Sequence, residues 1–475
     1  MADAPPSLDA PPSGARASTR KLTAGLMLGV GVHAMEGFSI YTALPALTLE
    51  LHARELYGSV ITTYLLASLV GLVWAGVHTD TRGPRGALRG GLGAIALGLL
   101  GATFAPDIHT LLLCRCLQGF GGGALTTVLY AAVHRAYPRA DQARVLALLS
   151  LAWGGSAVAM PGLLGMIVDH LHWRFVFALG LPVAALAAWL ILPSLAGVEH
   201  QPRASVEALE THPPGTPVRP RKRVLALAVT TVVVGAALGL HAPAWPGVPS
   251  WLLPGLGGVA VVTGLAQLWP PGVFRLRAVL PAAVGVKTLA CALFFGAESH
   301  LPLALTDIHH RGSTFTGFVL TAAAMAWSSA AFLQARLLPI LGASRIALLG
   351  VLGAGLAVLG LLVLVDPSVT PYVALPIWAL GAAGMGLVYN TTSDSALAAT
   401  GEGESGSTGT ALGISDSVGA AFGTGVASGL LNAAQASGAG LGAGLTWGWM
   451  ALLVLALPMA VGASRLGGRL LPSER

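Results

Sequence analysis

Long apolar stretches alternate with short polar ones along the whole chain. Stretches of roughly 18 to 26 residues are long enough to cross a ~30 Å hydrocarbon core as helices that rise about 1.5 Å per residue. Every backbone polar group must be satisfied inside lipid, so such stretches predict transmembrane α-helices. We place these helices near residues 22–47, 58–78, 87–105, 108–134, 143–168, 174–195, 224–242, 251–269, 278–305, 314–338, 345–365, 370–393, 407–433 and 443–466.

The predicted helices fall into groups of six, two and six, which makes about fourteen spans of an all-α integral membrane protein. The predicted units are a disordered cytoplasmic tail (1–21), an N-terminal six-helix bundle (22–195) and a cytoplasmic linker (196–222). An inserted two-helix hairpin (223–271), a C-terminal six-helix bundle (272–467) and a second cytoplasmic tail (468–475) follow. The first apolar stretch is too long for a signal peptide and lacks a small-residue cleavage site. We therefore expect it to remain as an anchor.

Composition and charge agree with this reading. Of the 475 residues, 54% are hydrophobic and only 10% are charged, too few to coat soluble domains of this length. With the N-terminus inside, 21 of the 26 Lys and Arg residues fall on the cytoplasmic side. This asymmetry predicts a multi-pass plasma-membrane protein with both termini in the cytoplasm. Basic residues form no face interleaved with aromatics, so no nucleic-acid partner is expected.

Three segments of the first bundle combine glycines with charged residues. The loop after the second helix reads Gly76-Val-His-Thr-Asp80-Thr-Arg82-Gly83-Pro-Arg85. The fourth helix contains Arg115-Cys-Leu-Gln118-Gly119-Phe-Gly121, and the fifth contains Gly155 and the run Met160-Pro161-Gly162-Leu-Leu-Gly165. In this order they resemble three motifs of the major facilitator superfamily: its signature loop, its fourth-helix Arg-Gln-Gly motif and its antiporter motif.

The resemblance implies two six-helix bundles that rock about a central site, and the fourteen-helix layout is similar to the drug:proton antiporter branch of that family. It implies that a conformational switch at the cytoplasmic face, in which Asp80 holds the two halves together, is formed by Gly76, Asp80, Gly83 and Arg85. It also implies an antiporter motif at Gly155, Pro161 and Gly165. That motif departs from the family pattern, because Met160-Pro161 and Leu164-Gly165 replace the usual Gly-Pro and paired glycines.

Two charges lie deep in predicted helices of the first bundle. Glu36 lies about 21 Å along the first helix, and Arg115 lies about 10 Å into the fourth from the outer side, at a matching depth. A charge near the bilayer centre costs about 2.5 to 3.5 kcal/mol on insertion scales, so it tends to serve a pathway or a partner. We expect Glu36 to bind and release a proton beside Arg115, with His33 extending the relay. The alternative is a static Glu36–Arg115 pair that locks the bundle.

The second bundle carries further candidates for proton coupling. Glu298 lies near the outer end of its helix in an environment expected to be wet, as a gate, a second protonation site or a solvated surface acid. Lys287 lies deeper and needs a carboxylate; Asp416 is nearest in depth, although a lysine that snorkels to the surface fits equally well. The candidate proton-coupling residues are therefore Glu36, Arg115, His33, Glu298 and Asp416.

No metal, cofactor or enzymatic site is predicted. Acids and histidines at 169–172 and 307–310 lie in short outer loops without further ligands at defined spacing. The three cysteines are scattered in apolar stretches, so we expect free thiols. A membrane enzyme or sensor would need a catalytic cluster or a soluble domain, and an ATP-driven pump would need a phosphate-binding loop; neither is present in the sequence.

The favoured function is therefore a monomeric, proton-coupled exporter of amphipathic small molecules. Its partners are the small-molecule substrate, protons and the lipid bilayer. The central helices offer aromatic and small residues and few fixed charges, and the candidate substrate-binding residues are Phe38, Tyr41, Gln118, Trp153, Trp327, Tyr389 and Asn390. The altered antiporter motif keeps two alternatives open: a metabolite or lipid permease without a drug role, and an uptake facilitator.

Overall fold

The computed structural model describes residues 13–195, 227–232, 252–400 and 405–467, and no β-strand occurs in these ranges. The helices are α1 (Ser13–Glu50), α2 (Tyr57–Arg82), α3 (Pro84–Thr103), α4 (Ile108–Ala136), α5 (Arg139–His170), α6 (Arg174–Ser194), α7 (Leu252–Leu268), α8 (Leu280–Leu303), α9 (Ser313–Leu361), α10 (Ala374–Ala398), α11 (Ser405–Ala436), α12 (Gly440–Leu453) and α13 (Ala456–Ser464). A π-helical turn, Ala304–Ile308, continues α8. The expected all-helical architecture is confirmed for this part of the chain.

Within the described ranges, nine helical segments are long and apolar enough to span a bilayer. The longest, Ser313–Val365, contains 53 residues, far more than one span needs. The predicted helices near 314–338 and 345–365 are its two arms, which meet at Gly342 (φ 75°, ψ 161°). That positive φ is costly for any residue with a Cβ, which explains glycine at the break.

The inserted segment is only partly described. Residues 227–232 are helical, and the rest of the predicted helix near 224–242 lies outside the described residues, as do the linker, the C-terminal tail and residues 1–12. Residues 13–21, expected to belong to a disordered tail, are instead the start of α1. The second predicted helix of the insert, near 251–269, corresponds to α7. A Cβ built on Gly264 of α7 would lie 2.7 Å from the carbonyl oxygen of Ala228, so the two segments pack closely.

The helices form two groups that meet along their inner sides. In the first group, α1–α6, helix α1 packs on α5 and α6, and α4 packs on α2 and α3. In the second group, α8–α13, helix α8 packs on α10 and α11, and α9 packs on α10. The groups touch mainly through α2 against α11 and α5 against α9. We call the end of the bundle at which α1 begins the proximal face, and the end near Glu50 the distal face.

Glycines bring α2 and α4 into backbone contact. A Cβ on Gly119 would lie 2.2 Å from the carbonyl oxygen of Tyr64, and one on Gly123 would lie 1.9 Å from that of Ser68. Gly71 meets the carbonyl of Phe120 at 1.9 Å in the same way. Association of helices in lipid depends on such close packing of small residues, because lipid gives no hydrophobic drive between them. The glycine stripe of α4 therefore fixes the position of Arg115 beside α2.

Candidate functional site

The two deep charges of the first group form an ion pair. Arg115 Nη1 of α4 lies 3.2 Å from Glu36 Oε2 of α1, and both residues are 1% exposed. The expected proximity of Glu36 and Arg115 is confirmed. Their role in proton coupling stays a prediction.

Arg115 has partners besides Glu36. Its Nη1 donates to Gln118 Oε1 at 2.6 Å, its Nε donates to the Val60 carbonyl at 3.4 Å, and its guanidinium lies 4.3 Å from the centre of the Tyr64 ring. A buried charge needs such compensation, because desolvation otherwise outweighs the pairing. Arg115 can therefore stay charged when the contact with Glu36 changes.

Tyr64 links the predicted relay residue His33 to this pair. Its hydroxyl lies 3.2 Å from His33 Nδ1, while its ring carries the Arg115 guanidinium on one face. The sequence analysis did not single out Tyr64. In the sequence, Tyr64 is only a tyrosine at the depth of the two charges. Its contact with them could not be predicted, because the sequence does not show which side of α2 faces α1 and α4.

The second helix group contains a corresponding pair. Lys287 Nζ of α8 lies 3.4 Å from Asp416 Oδ1 of α11, and it also donates to Ser393 Oγ at 2.9 Å. It lies 3.6 Å from the centre of the Tyr389 ring, whose hydroxyl donates to Asp416 Oδ2 at 2.8 Å. Asp416 is thus the partner of Lys287, and the snorkelling alternative is wrong.

The two carboxylates differ in exposure. The Glu36 side chain is 2% exposed and that of Arg115 is 1% exposed, whereas the Asp416 side chain is 31% exposed beside a Lys287 that is 4% exposed. An exposed carboxylate exchanges protons and cations directly with water. Asp416 is therefore partly accessible, while Glu36 is buried.

Glu298 does not lie in a wet surface environment. It is 7% exposed, and its Oε1 accepts a hydrogen bond of 3.1 Å from Trp378 Nε1 of α10. The expectation of a solvated surface acid was wrong, because α10 covers the side of α8 on which Glu298 lies. The sequence predicted the depth of Glu298 along its helix, but it could not predict that α10 packs over this side chain.

The predicted substrate-binding residues separate into two sets, one in each helix group. Phe38 and Trp153 have ring centres 6.1 Å apart, and Trp153 is 42% exposed. Trp327 and Tyr389 have ring centres 5.4 Å apart in the second group. Of the remaining candidates, the amide of Asn390 donates to the Gly386 carbonyl of its own helix, Tyr41 is 8% exposed, and Gln118 is fully buried against Arg115.

The predicted switch loop is a tight turn between α2 and α3. Gly83 ends α2 with φ 85°, a conformation that disfavours other residues, and Pro84 begins α3. A Cβ on Gly76 would meet nothing within 4 Å, so close helix approach does not explain that glycine. Arg85 Nε is buried without a hydrogen-bond partner in the described ranges. Asp80 lies in α2, but its side chain is outside the described atoms.

The predicted antiporter motif lies on α5 where α5 meets α9. A Cβ on Gly165 would lie 2.3 Å from the Ser313 carbonyl oxygen, and one on Gly317 would lie 2.2 Å from that of Pro161. Thr321 Oγ1 donates to the Val158 carbonyl at 2.9 Å across the same interface. Gly155, by contrast, has nothing within 4 Å of its Cβ position. The motif therefore builds a tight contact between the groups at its distal end and leaves open space at its proximal end.

Polar contacts close the distal face between the groups. Asp169, at the end of α5, accepts hydrogen bonds from Ser313 N at 2.8 Å and Thr314 N at 2.7 Å, and so caps the N-terminus of α9. Arg54 forms a 2.5 Å ion pair with Asp307, and Asn432 Nδ2 donates to the Glu55 carbonyl at 2.8 Å. The sequence analysis considered Asp169 and Asp307 only as weak metal ligands. No group of three or more potential metal-ligating side chains occurs in the described ranges.

A buried polar cluster lies just inside this distal contact. His300 Nε2 of α8 lies 3.0 Å from Ser428 Oγ of α11, and the His300 ring lies 5.6 Å from the ring of Tyr57 of α2. A Cβ on Gly58 would lie 1.9 Å from Ser428 Oγ, so the Ser428 side chain of α11 packs directly on the backbone of α2. Any separation of the groups at the distal face must break this contact.

Substitution of Gly165 by alanine is expected to open the α5–α9 contact. Its Cβ would collide with a backbone oxygen at 2.3 Å, which no rotamer change relieves. We expect lower thermal stability of the purified protein, measured by size-exclusion chromatography after heating. Gly155→Ala is the matched control: it adds the same atom on the same helix into open space and should leave the melting temperature unchanged. Equal stability of the two variants contradicts the packing described here.

Comparison with known proteins identifies the family. The sequence pattern of the Major Facilitator Superfamily matches residues 26–424, most of the chain. The chain belongs to the Major Facilitator Superfamily. It is therefore a multi-pass membrane protein of a transporter family and not an enzyme.

Relatives in sequence are distant. Multidrug resistance protein 3 of Bacillus subtilis is 27% identical over 177 residues, which cover 37% of this chain and 35% of that protein. A probable multidrug-efflux transporter of Mycobacterium tuberculosis is 25% identical over 452 residues, 90% of each protein. The matched region thus spans about a third of the first relative and nine tenths of the second.

Solved structures show the same fold. The peptide transporter POT in complex with sulfate aligns with a TM-score of 0.65 at 16% identity, over 93% of this chain and 95% of that one. A POT family transporter in complex with 5-aminolevulinic acid aligns with a TM-score of 0.63 at 14% identity, over 95% and 97% of the two chains. At this identity the likeness concerns the fold alone.

Proposed function

We propose that the protein is a proton-coupled secondary transporter that exports amphipathic, drug-like small molecules by alternating access. The observation that carries this proposal is the Glu36–Arg115 pair, buried between α1 and α4 of the first group. A charge pair held at this depth costs desolvation energy that a purely structural bundle can avoid with apolar side chains. In a transport cycle the pair can couple proton binding to a conformational change, because protonation of Glu36 changes the net charge of the pair.

We infer that the proximal face is cytoplasmic and that the chain crosses the membrane fourteen times, as six, two and six helices. The support is the distribution of Lys and Arg, 21 of which fall on that side in the fourteen-helix topology. Reporter fusions near Thr211 and near Pro246 test the inserted pair. They are expected on opposite sides of the membrane, and finding both inside removes the pair.

With that orientation the structure corresponds to an inward-facing state. The distal contacts, Asp169 on α9 and Arg54 on Asp307, hold the outer ends of the groups together. Transport then requires that these contacts break while proximal contacts form, as the groups rock about the α2–α11 and α5–α9 interfaces. The predicted switch residues at Asp80 and Arg85 belong to the face that closes in the opposite state.

Protonation of Glu36 would remove its charge and weaken the pair with Arg115. Arg115 keeps Gln118, the Val60 carbonyl and the Tyr64 ring, so its cationic form remains compensated. A bound proton and the ion pair are thus alternative states of one site, and each favours a different arrangement of α1 against α4. Tyr64 and His33 provide the polar route to this site from the interior space.

Asp416 is a second candidate for coupling, since its side chain is more accessible than that of Glu36. Lys287 retains Ser393 and the Tyr389 ring when Asp416 takes a proton or a cationic substrate. The aromatic sets around Trp153 and Trp327 lie on the two groups and suit a flat apolar ligand. Two relatives named as multidrug transporters support the same substrate class.

A proteoliposome assay with an imposed pH gradient tests the proposal. Lipophilic cations should accumulate against their own concentration gradient only when the pH gradient is imposed. Flux that does not depend on the gradient favours a facilitator, and gradient-driven movement of polar metabolites or lipids instead of drug-like cations favours the permease alternative.

A further inference from the structure

The connection between α7 and α8 is a rigid turn at the proximal face. Gly272 has φ 96°, Leu276 has φ 47° and Val279 has φ 60°, so three residues adopt left-handed backbone conformations within eight positions. The guanidinium of Arg465 fastens the turn by donating 2.8 Å hydrogen bonds to the carbonyls of Arg275 and Leu276. Strained conformations persist only when their surroundings hold them in place, and they cluster at functional sites.

This turn borders an open depression of about 210 Å³ lined by Gly272, Phe274, Arg275 and Arg277. We call it the arginine bay. The stem of Arg277 crosses directly over Gly272, where a Cβ would lie 2.8 Å from Arg277 Cδ. Any other residue at position 272 would displace the Arg277 stem, so the turn is shaped to present this side chain.

The two arginines of the arginine bay face solvent. Arg275 and Arg277 are both exposed, and neither forms an ion pair with a side chain in the described ranges. Together with Arg465, whose guanidinium donates to the backbone of the same turn, they gather positive charge at one short segment, which attracts anions. The bay therefore offers a binding site for an anion with several oxygen acceptors.

Apolar surface adjoins the charges. Phe274 is 57% exposed at the rim of the bay, and its ring centre lies 5.8 Å from that of Trp269. Trp269 is 7% exposed, yet its Nε1–H has no acceptor in the described part of the chain. Trp269 therefore supports Phe274 from the protein side, and the exposed Phe274 ring is the part of the pair that lipid can reach. Aromatic residues are enriched at the membrane interface.

We propose that the arginine bay binds an anionic phosphodiester, the headgroup of an anionic lipid in the leaflet at the proximal face. Arg275 and Arg277 contact the phosphate oxygens, and Phe274 packs against the upper part of an acyl chain. The bay lies between the last residue of the apolar helix α7 and the first residue of the apolar helix α8. Lipid headgroups lie at the depth of such helix ends. A bound lipid then fastens the inserted segment to the second helix group.

Native mass spectrometry of the full-length protein tests this assignment, with dioleoyl phosphatidylglycerol and dioleoyl phosphatidylcholine as probes. The wild type is expected to retain phosphatidylglycerol several-fold better than phosphatidylcholine. The double variant Arg275→Gln/Arg277→Gln should lose that preference. The matched control is Arg336→Gln/Arg345→Gln, which removes two exposed arginines outside the bay and should keep it.

Excess inorganic phosphate distinguishes a lipid from a free anion. Phosphate is expected to leave bound phosphatidylglycerol in place, because it offers no acyl chain to Phe274. Complete displacement overturns the lipid assignment, and so does equal loss of preference in the control variant. If the double variant does not purify as a folded protein, the single variants Arg275→Gln and Arg277→Gln replace it, and each should reduce retention by part of the effect.

Discussion

Replacement of Glu36 by glutamine is expected to abolish gradient-driven transport in proteoliposomes, to the level of protein-free vesicles, while the protein still folds. Glutamine keeps the size of the side chain and an oxygen that accepts a hydrogen bond from Arg115, which lies 3.2 Å away in the wild type. It cannot bind and release a proton at physiological pH. Transport is measured as accumulation of a lipophilic cation with and without an imposed pH gradient, and folding by size-exclusion chromatography.

The double variant Glu36→Gln/Arg115→Gln separates coupling from structure. If the pair is only structural, removal of one partner costs about 3 to 5 kcal/mol and Glu36→Gln should lose expression, whereas replacement of both partners leaves no uncompensated charge. A static pair therefore predicts a double variant that both folds and transports. A proton carrier predicts a double variant that folds and does not couple. Normal accumulation against the gradient in Glu36→Gln itself would falsify the proton role.

Replacement of Asp169 by alanine is expected to shift the protein toward a state open at the distal face. The carboxylate accepts hydrogen bonds from two backbone N–H groups at the start of α9, so it joins α5 to α9 across the contact between the groups. Loss of such a cap costs about 0.5 to 2 kcal/mol, which corresponds to roughly a 2- to 30-fold change in the ratio of closed to open protein. The negative charge of Asp169 is also stabilised by the positive N-terminal end of the α9 dipole.

Labelling of a cysteine inside the distal contact measures this shift. Ser428→Cys, in a background without Cys114, Cys116 and Cys291, places a thiol beside Gly58 of α2, where only 8% of the wild-type residue is exposed. A membrane-impermeant maleimide added to the distal side should react faster when Asp169 is alanine.

Asp107→Ala is the matched control for that experiment. Asp107 caps α4 by accepting from Thr110 N at 2.9 Å, but both residues belong to the first helix group. Its loss should cost a similar amount of helix stability without changing the distance between the groups. An equal rise in labelling for both variants means that the Asp169 cap does not hold the distal face closed.

Sequence reasoning located the helices well because the bilayer imposes a length and an apolar composition on every span. Predicted helices near 58–78 and 108–134 correspond to α2 (Tyr57–Arg82) and α4 (Ile108–Ala136), with differences of a few residues at the ends. The two arms of α9 were also separated correctly at the Gly342 break. Helix ends lie at the water interface, where a polar residue fits the last turn of a helix and the adjoining loop equally well. The predicted first and last residues of each helix were therefore less certain than its existence.

The expected depth of charged residues was informative for the same reason. Position along a helix converts directly into depth at about 1.5 Å per residue, and this placed Glu36 and Arg115 at one level before their contact was known. Lys287 and Asp416 were matched by depth alone, and the structure shows that they meet. The sequence could not choose between pairing and snorkelling, because both satisfy the same depth.

The residues alone were enough to assign the class of protein, the approximate positions of its described helices and the depth of its charges. Only the tertiary structure decided which residues face each other: that Trp378 covers Glu298, that Tyr64 lies between His33 and Arg115, and that Asp169 of α5 caps α9. The physical reason is that the bilayer acts on each helix separately along one axis, whereas the rotation of a helix and the choice of its neighbours depend on packing between segments far apart in the chain.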